Sequence, residues 1–288
     1  MSYSPSRYGP LRGVFVAALL AATSLLTFAR GPIAVSSAQA STLPTLTLSI
    51  NASSITVGGA LQSGGVNVVS TATGVKEAGA ILFLLKPGVS VAEVYAYLDS
   101  KGKKDINGTN KYGSIVFDAE VGSGHTSEAQ TNLQPGQYLA LLSQGQGPPK
   151  TRSSFTVTAA KSPAALPTPQ ATVGTTEFGF HGPSTLHVGE LVRFENEGFL
   201  VHMDVALQVK NMKVAKQVVK LLLAGKDKQT EKLGIGGTAF AGPLSSGAYQ
   251  QETITAKPGV YVQACFMTTQ DGREHTRLGQ ERIIKIVK

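Results

Sequence analysis

The chain is poor in sulfur and has no indole: one cysteine, Cys265, and no tryptophan in 288 residues. A lone cysteine excludes an internal disulfide, so Cys265 is a free thiol, a link to another molecule, or a metal ligand. Charge is scarce too. Asp, Glu, Lys and Arg make up 15% of the residues, and no Lys/Arg block is dense enough to imply nucleic acid. The common enzyme signatures are also missing: there is no H-E-x-x-H, no phosphate-binding loop and no Ser/His/Asp constellation. The GIGG run at 234–237 lacks the strand-then-helix setting of a nucleotide loop and reads as a turn. These absences argue against an enzyme.

What is present points to strands. Gly (32) and Pro (14) are plentiful and hydrophobic residues make up 42%, a composition that favours short strands and turns around a sizeable core. Arg7 and Arg12 precede the apolar run 13–29, and SSAQAS offers a small-x-small cleavage site after Ala40. Residues 1–40 therefore predict a signal peptide and a secreted or extracytoplasmic protein. If uncleaved, the 17-residue apolar run would be a membrane anchor, at the lower edge of the about 17–25 residues a span needs. Residues 1–40 hold three Arg and no acid, so the net charge of +8 becomes +8 − 3 = +5 after cleavage. That mildly basic balance supports a mild attraction to anionic surfaces and no more, and the expected partner is a protein or envelope component rather than nucleic acid. Asn51 and Asn107 head Asn-x-Ser/Thr glycosylation sequons.

The remaining sequence repeats itself. SSITVGG (53–59) matches STLHVGE (184–190), and VNVVSTATGVKEAGAILFLL (66–85) matches VRFENEGFLVHMDVALQV (192–209). VAEVYAYLDS (91–100) and VAKQVVKLLLAG (214–225) follow, both with helical spacing. LQPGQYLALL (133–142) then matches AKPGVYVQAC (256–265), a Pro-Gly turn entering an alternating strand. Four blocks in one order imply a duplicated fold. The prediction is all-β: two tandem Greek-key β-sandwich domains at 42–160 and 174–288, each with one short inserted helix, joined by a Pro-rich linker at 161–173. Lys213, Lys216 and Lys220 would form the outer face of the second helix.

The second unit resembles the cupredoxins, the blue-copper-protein family. VRFENEGFLVHMDVAL (192–207) is similar to their strand–turn–strand that delivers a ligand histidine after an Asn-x-Gly turn. PGVYVQAC (258–265) resembles the strand ending in the ligand cysteine, and HTRLGQERIIKIV (275–287) the following loop and last strand. The resemblance covers 176–288, and reaches 42–158 only through the internal repeat. It implies a copper site formed by His202, Cys265, His275 and an axial Gln280. Two imidazoles and a thiolate suit a trigonal copper centre, and a weak axial donor tunes its potential.

This sequence departs from the family at one point: nine residues, FMTTQDGRE, separate Cys265 from His275. Their QDGR turn either folds His275 back towards Cys265 or carries it into solvent. Arg273 and Arg277 flank that histidine and would oppose a bound cation. The first unit has Ala78 and Leu142 at the positions of His202 and Cys265, so it predicts a metal-free domain. His125, His181 and His187 read as surface residues. The leading expectation is an exported binding or structural module with a degenerate or unconventional metal site in its C-terminal domain. The alternative is a mononuclear copper protein for electron transfer or copper handling.

Overall fold

The computed structural model of the chain describes residues 42–76, 78–100, 105–143 and 149–288. The predicted signal peptide, 1–40, lies outside the described residues. Among the described residues no helix is long and apolar enough to cross a membrane.

Among its described residues the first unit contains eight strands: β1 (Thr45–Asn51), β2 (Ile55–Gly59), β3 (Gly64–Thr73), β4 (Ala78–Leu85), β5 (Gly113–Val121), β6 (Thr126–Leu133), β7 (Gly136–Ser143) and β8 (Thr151–Val157). One layer runs β2-β1-β3-β6 and the other β5-β4-β7-β8. The second unit contains nine: β9 (Ala171–Thr176), β10 (Gly179–His181), β11 (Thr185–His187), β12 (Leu191–Asn196), β13 (His202–Val209), β14 (Gly234–Leu244), β15 (Tyr249–Thr253), β16 (Gly259–Ala264) and β17 (Glu281–Val287). Its layers run β10-β9-β12-β15 and β14-β13-β16-β17, with β11 on the far edge of β17. The plans coincide down to the parallel pairs β1–β3 and β9–β12. Both units are two-layer β-sandwiches on one strand plan, as the repeat predicted and as the resemblance implied.

Alternation explains the layers. β1 buries Leu46, Leu48 and Ile50 and exposes the residues between them, so one face meets the core and the other meets water. β4 and β13 are buried nearly throughout because each is covered on both faces. The helices fall where their spacing put them. α1 (Val91–Asp99) is closed by a Ser90/Glu93 capping box. α2 (Met212–Leu223) is capped by Asn211, whose side chain accepts from the Val214 N–H. α2 lays Ala215, Val218 and Leu222 on the outer face of β13 and β16, leaving its lysines exposed. A short helix, α3 (Asp227–Glu231), follows it and was not expected. The GIGG run is the start of β14 rather than a turn, because Gly234, Gly236 and Gly237 pair with Val209, Gln208 and Leu207.

The two units meet strand for counterpart strand. β6 and β15 pair antiparallel at Gln130 and Gln251, fusing two layers into one eight-stranded sheet. The counterpart strands β5 and β14 also pack together. The connector is not a free tether: the Gly65 N–H donates to the Ala164 carbonyl and Gln251 donates to the Pro167 carbonyl. β9 begins at Ala171, within the stretch read as linker, because it pairs with β12 from its first residue. A shared apolar cluster joins Ile81, Phe83, Ile115, Leu139 and Leu141 of the first unit to Val201, Met203, Val205, Cys265 and Met267 of the second.

Candidate metal centre

Three chain segments converge at one end of the second sandwich. The first is the turn between β12 and β13. Asn196 organises it: its Oδ1 accepts from the Gly198 N–H, and its Nδ2 donates to the Leu200 and Leu244 carbonyls. The chain is thereby steered inwards, and His202 opens β13 with 1% exposure. The second segment is the end of β16, where Cys265 is fully buried. The third is the 3-10 turn His275–Leu278, which ends at Gly279 in the left-handed region (φ 94°) and delivers Gln280.

The nine-residue insertion folds as a hairpin. Thr268 bridges to Glu274, and the Thr269 N–H donates to the Arg273 carbonyl. The hairpin's base, not its tip, carries the histidine. The His275 N–H donates to the Met267 carbonyl at 2.9 Å, and the imidazole is fully buried. Of the two alternatives the turn left open, the structure takes the one that folds His275 back towards Cys265. The expected opposition from the arginines is corrected. Arg273 is 60% exposed and paired with Asp271, while Arg277 is 47% exposed and turned towards Glu274.

The donor atoms form a compact triangle. Cys265 Sγ lies 3.7 Å from His202 Nδ1 and 3.4 Å from His275 Nδ1, and the two Nδ1 atoms are 3.2 Å apart. A point equidistant from three corners with those separations lies about 2.0 Å from each, which matches metal–imidazole bonds at about 2.0–2.1 Å and is about 0.3 Å short of a metal–thiolate bond at about 2.3 Å, so a metal would sit slightly out of the triangle's plane or open it a little. His202, Cys265 and His275 are the one metal-competent group found among the described residues. Gln280 is fully buried beside them. Its Nε2 donates to the Thr176 carbonyl, its Oε1 has no partner, and its side chain interacts with both imidazoles. An unpartnered buried amide oxygen beside an N₂S triangle is a donor of the type that suits a weak axial position.

The protonation states suit a soft cation. Burial, followed by the nearby His202 charge, pushes His275 down to about 4; burial also lowers His202. Both imidazoles are thus neutral at pH 7, with lone pairs available. Burial pushes the Cys265 thiol up to about 12, so a metal must displace a proton to bind there. The Met203 N–H points at Sγ from 3.4 Å, and a second backbone bond comes from Met267. Both would favour the thiolate once it forms.

Further residues frame the site without a signal in the sequence. Glu177 Oε1 accepts from the Leu200 N–H and lies 3.6 Å from His202 Nε2. Burial raises its pKa, but backbone donors at Leu200 and Phe199 and the nearby His202 leave it lowered on balance. Phe178, at φ 63°, stands edge-on to His275 with ring centroids 5.4 Å apart. From the first unit, the buried Asn107 reaches both flanks of the site. His181 and His187 lie on the surface, bonded to Glu197 and close to Glu190, and His125 is exposed.

In the first unit, Ala78 and Leu142 occupy the matching places, as strand register shows. Ile81 pairs with Leu141 as Val205 pairs with Ala264, which aligns Ala78 with His202 and Leu142 with Cys265. Both are about 1% exposed, in an apolar core.

No protein-family model matches the chain, and no curated protein does. Among solved structures, auracyanin from Roseiflexus castenholzii is 18% identical with a TM-score of 0.26, over 41% of this chain and 95% of that one. Auracyanin A from Chloroflexus aurantiacus, a blue copper protein, is 19% identical with a TM-score of 0.24, over 40% and 95%. A multicopper oxidase is 10% identical with a TM-score of 0.23, over 84% and 87%.

Proposed function

We propose that the second unit binds a single copper ion through His202 Nδ1, Cys265 Sγ and His275 Nδ1, with Gln280 Oε1 as a weak axial donor, and that the protein transfers electrons. The observation carrying this reading is the neutral, buried N₂S triangle with the orphaned amide oxygen beside it. Copper would supply a one-electron couple in a site whose ligands are fixed by packing. The burial of every ligand favours electron transfer over catalysis, since an electron needs no open coordination position whereas a substrate does. A cleft of about 710 Å³ lies elsewhere between the units, and none of the four ligands lines it. His275 has no exposed edge, so Phe178, in contact with its ring and only half-buried, is the aromatic route to the surface. The predicted leader would put this chemistry outside the cytoplasm, where a lone thiol is protected from oxidation by burial and ligation.

Titrating the purified protein with Cu(II) beside Cys265→Ser tests the reading. One equivalent should raise an intense visible thiolate charge-transfer band that the variant lacks. No band, or a band that survives the substitution, rejects it. A parallel Zn(II) titration that outcompetes copper would point to a closed structural site instead.

A further inference from the structure

The first unit has no ligands, yet one of its side chains holds the ligand segments of the second. Asn107 lies in the 3-10 turn Ile106–Lys111, preceded by Asp105, and is 8% exposed. Its Oδ1 accepts from the Val201 N–H at 2.7 Å, immediately before His202. Its Nδ2 donates to the Thr268 carbonyl at 3.1 Å, three residues after Cys265, and to Asp105 Oδ1 at 2.8 Å. Both amide hydrogens are therefore used, and the carbonyl oxygen is engaged. Thr268 also closes the hairpin by bridging to Glu274, next to His275. One amide thus ties the strand bearing His202 to the hairpin joining Cys265 to His275.

The surroundings make that tie rigid. Asp105 Oδ1 accepts from the Asn107 backbone N–H as well as from its Nδ2, which fixes the side chain's orientation. Tyr97 of the first unit donates to the Asp105 carbonyl at 2.6 Å. Close by, Ser245 donates to Asn110 Oδ1 and accepts from the Ile115 N–H. Behind these bonds, the outer face of β4, β5 and β7 packs on Val201, Met203, Cys265 and Met267. One consequence concerns the sequon at Asn107: a glycan would replace one of the two amide hydrogens, both of which are used, so glycosylation and the complete set of clamp bonds exclude each other.

We propose that the ligand-free unit is a working part of the metal centre, with Asn107 as a positioning residue that fixes the spacing of His202, Cys265 and His275 from the neighbouring domain. The proposal rests on the copper reading for its purpose, but the clamp is a property of the metal-free protein and is measured there. A thiol held under a rigid wall reacts only when that wall opens. In the metal-free full-length protein, a disulfide reagent such as Ellman's should label Cys265 slowly. In Asn107→Ala, which removes three side-chain bonds, labelling should be about tenfold faster or more. Gln250→Ala is the control. It deletes a different contact between the units, the bond from the Asp118 N–H, away from the ligand segments. It should leave labelling close to the parent rate once both variants are compared at equal global stability. If copper binds, Asn107→Ala should also shift or weaken the thiolate band while keeping one copper per chain. Should Asn107→Ala fail to fold, Asn107→Asp serves. It keeps the acceptor for Val201 but sets a carboxylate against the Thr268 carbonyl, so labelling should still accelerate. Unchanged labelling in the Asn107 variants, or equal acceleration in Gln250→Ala, would overturn the proposal. Absence of a copper band in the parent protein would sink the copper reading while leaving the labelling comparison decisive for the clamp.

Discussion

Two sandwiches with the same strand order end in different chemistry. At the ligand end of the second, His202 and Cys265 face an imidazole and an amide oxygen. At the same end of the first, Ala78 and Leu142 sit in a continuous apolar core with Val121 and Leu82. The difference teaches that this fold is held by alternating apolar faces and does not depend on a metal. The ligands occupy places that alkyl side chains can fill. The metal-free protein should therefore be folded, with copper adding stability by mass action, about 4 kcal/mol when free copper is 1,000 times its dissociation constant.

That contrast can be broken most forcefully in the first unit. Leu142→Ala should cost about 2–5 kcal/mol in urea unfolding, because it leaves a cavity in a closed core. Copper stoichiometry should stay at one per chain. If that variant were neutral to stability, the first unit would not be the packed counterpart described above.

A smaller effect belongs to the seam between the units. Asp118 on β5 is buried between Gly79 and Gly242, with Oδ2 unpartnered, and burial followed by the Glu120 charge pushes its pKa to about 8. The folded protein then holds a proton that the unfolded chain has lost between about pH 4 and pH 8. Stability should fall as pH rises through that window and level off above it. Asp118→Asn should flatten the profile and recover about 1–3 kcal/mol at pH 8, the cost of one unsatisfied buried polar group. Chemical denaturation of both proteins from pH 5 to 9 measures this.

The second unit makes its own pH prediction. Its imidazoles are already neutral at pH 7 and its thiol is not ionised, so each copper should release one proton. Apparent affinity should rise about tenfold per pH unit, equivalent to about 1.4 kcal/mol, from pH 7 to 9. A slope of two or more would mean that the histidines are protonated before metal arrives. The mildest change is Gln280→Met. Replacing an amide oxygen by a thioether favours Cu(I), so the potential should rise, by about 59 mV for each tenfold shift in a one-electron couple. A fall on potentiometric titration would exclude Gln280 from the axial position.

Much of this was legible in the sequence, for identifiable reasons. Periodicity and Pro-Gly turns survive duplication, so both sandwiches and both main helices could be placed. All four candidate ligands could be named only through the resemblance to the cupredoxins. What could not be read was the sense of the insertion. The same QDGR turn serves a hairpin with His275 at its buried base or one with His275 in solvent, and the choice rests on the Met267 and Thr268 backbone bonds. The weight given to Arg273 and Arg277 failed similarly, since a flanking charge matters only if its side chain turns inwards. Asn107 left no usable trace. Its partners lie 94 and 161 positions away, and the local pattern around it spelled a glycosylation sequon.

The pairing of β6 with β15 carries a last consequence. Each strand finishes its own half-sheet, and each meets its own counterpart, so the halves touch like to like, as the subunits of a dimer of separate molecules can. In such a dimer every substitution appears twice, and losing a ligand from one half means losing it from both. Covalent fusion lifts that obligation. One half is free to become a wall and the other to differ from it, while one edge of each half is already occupied by kin.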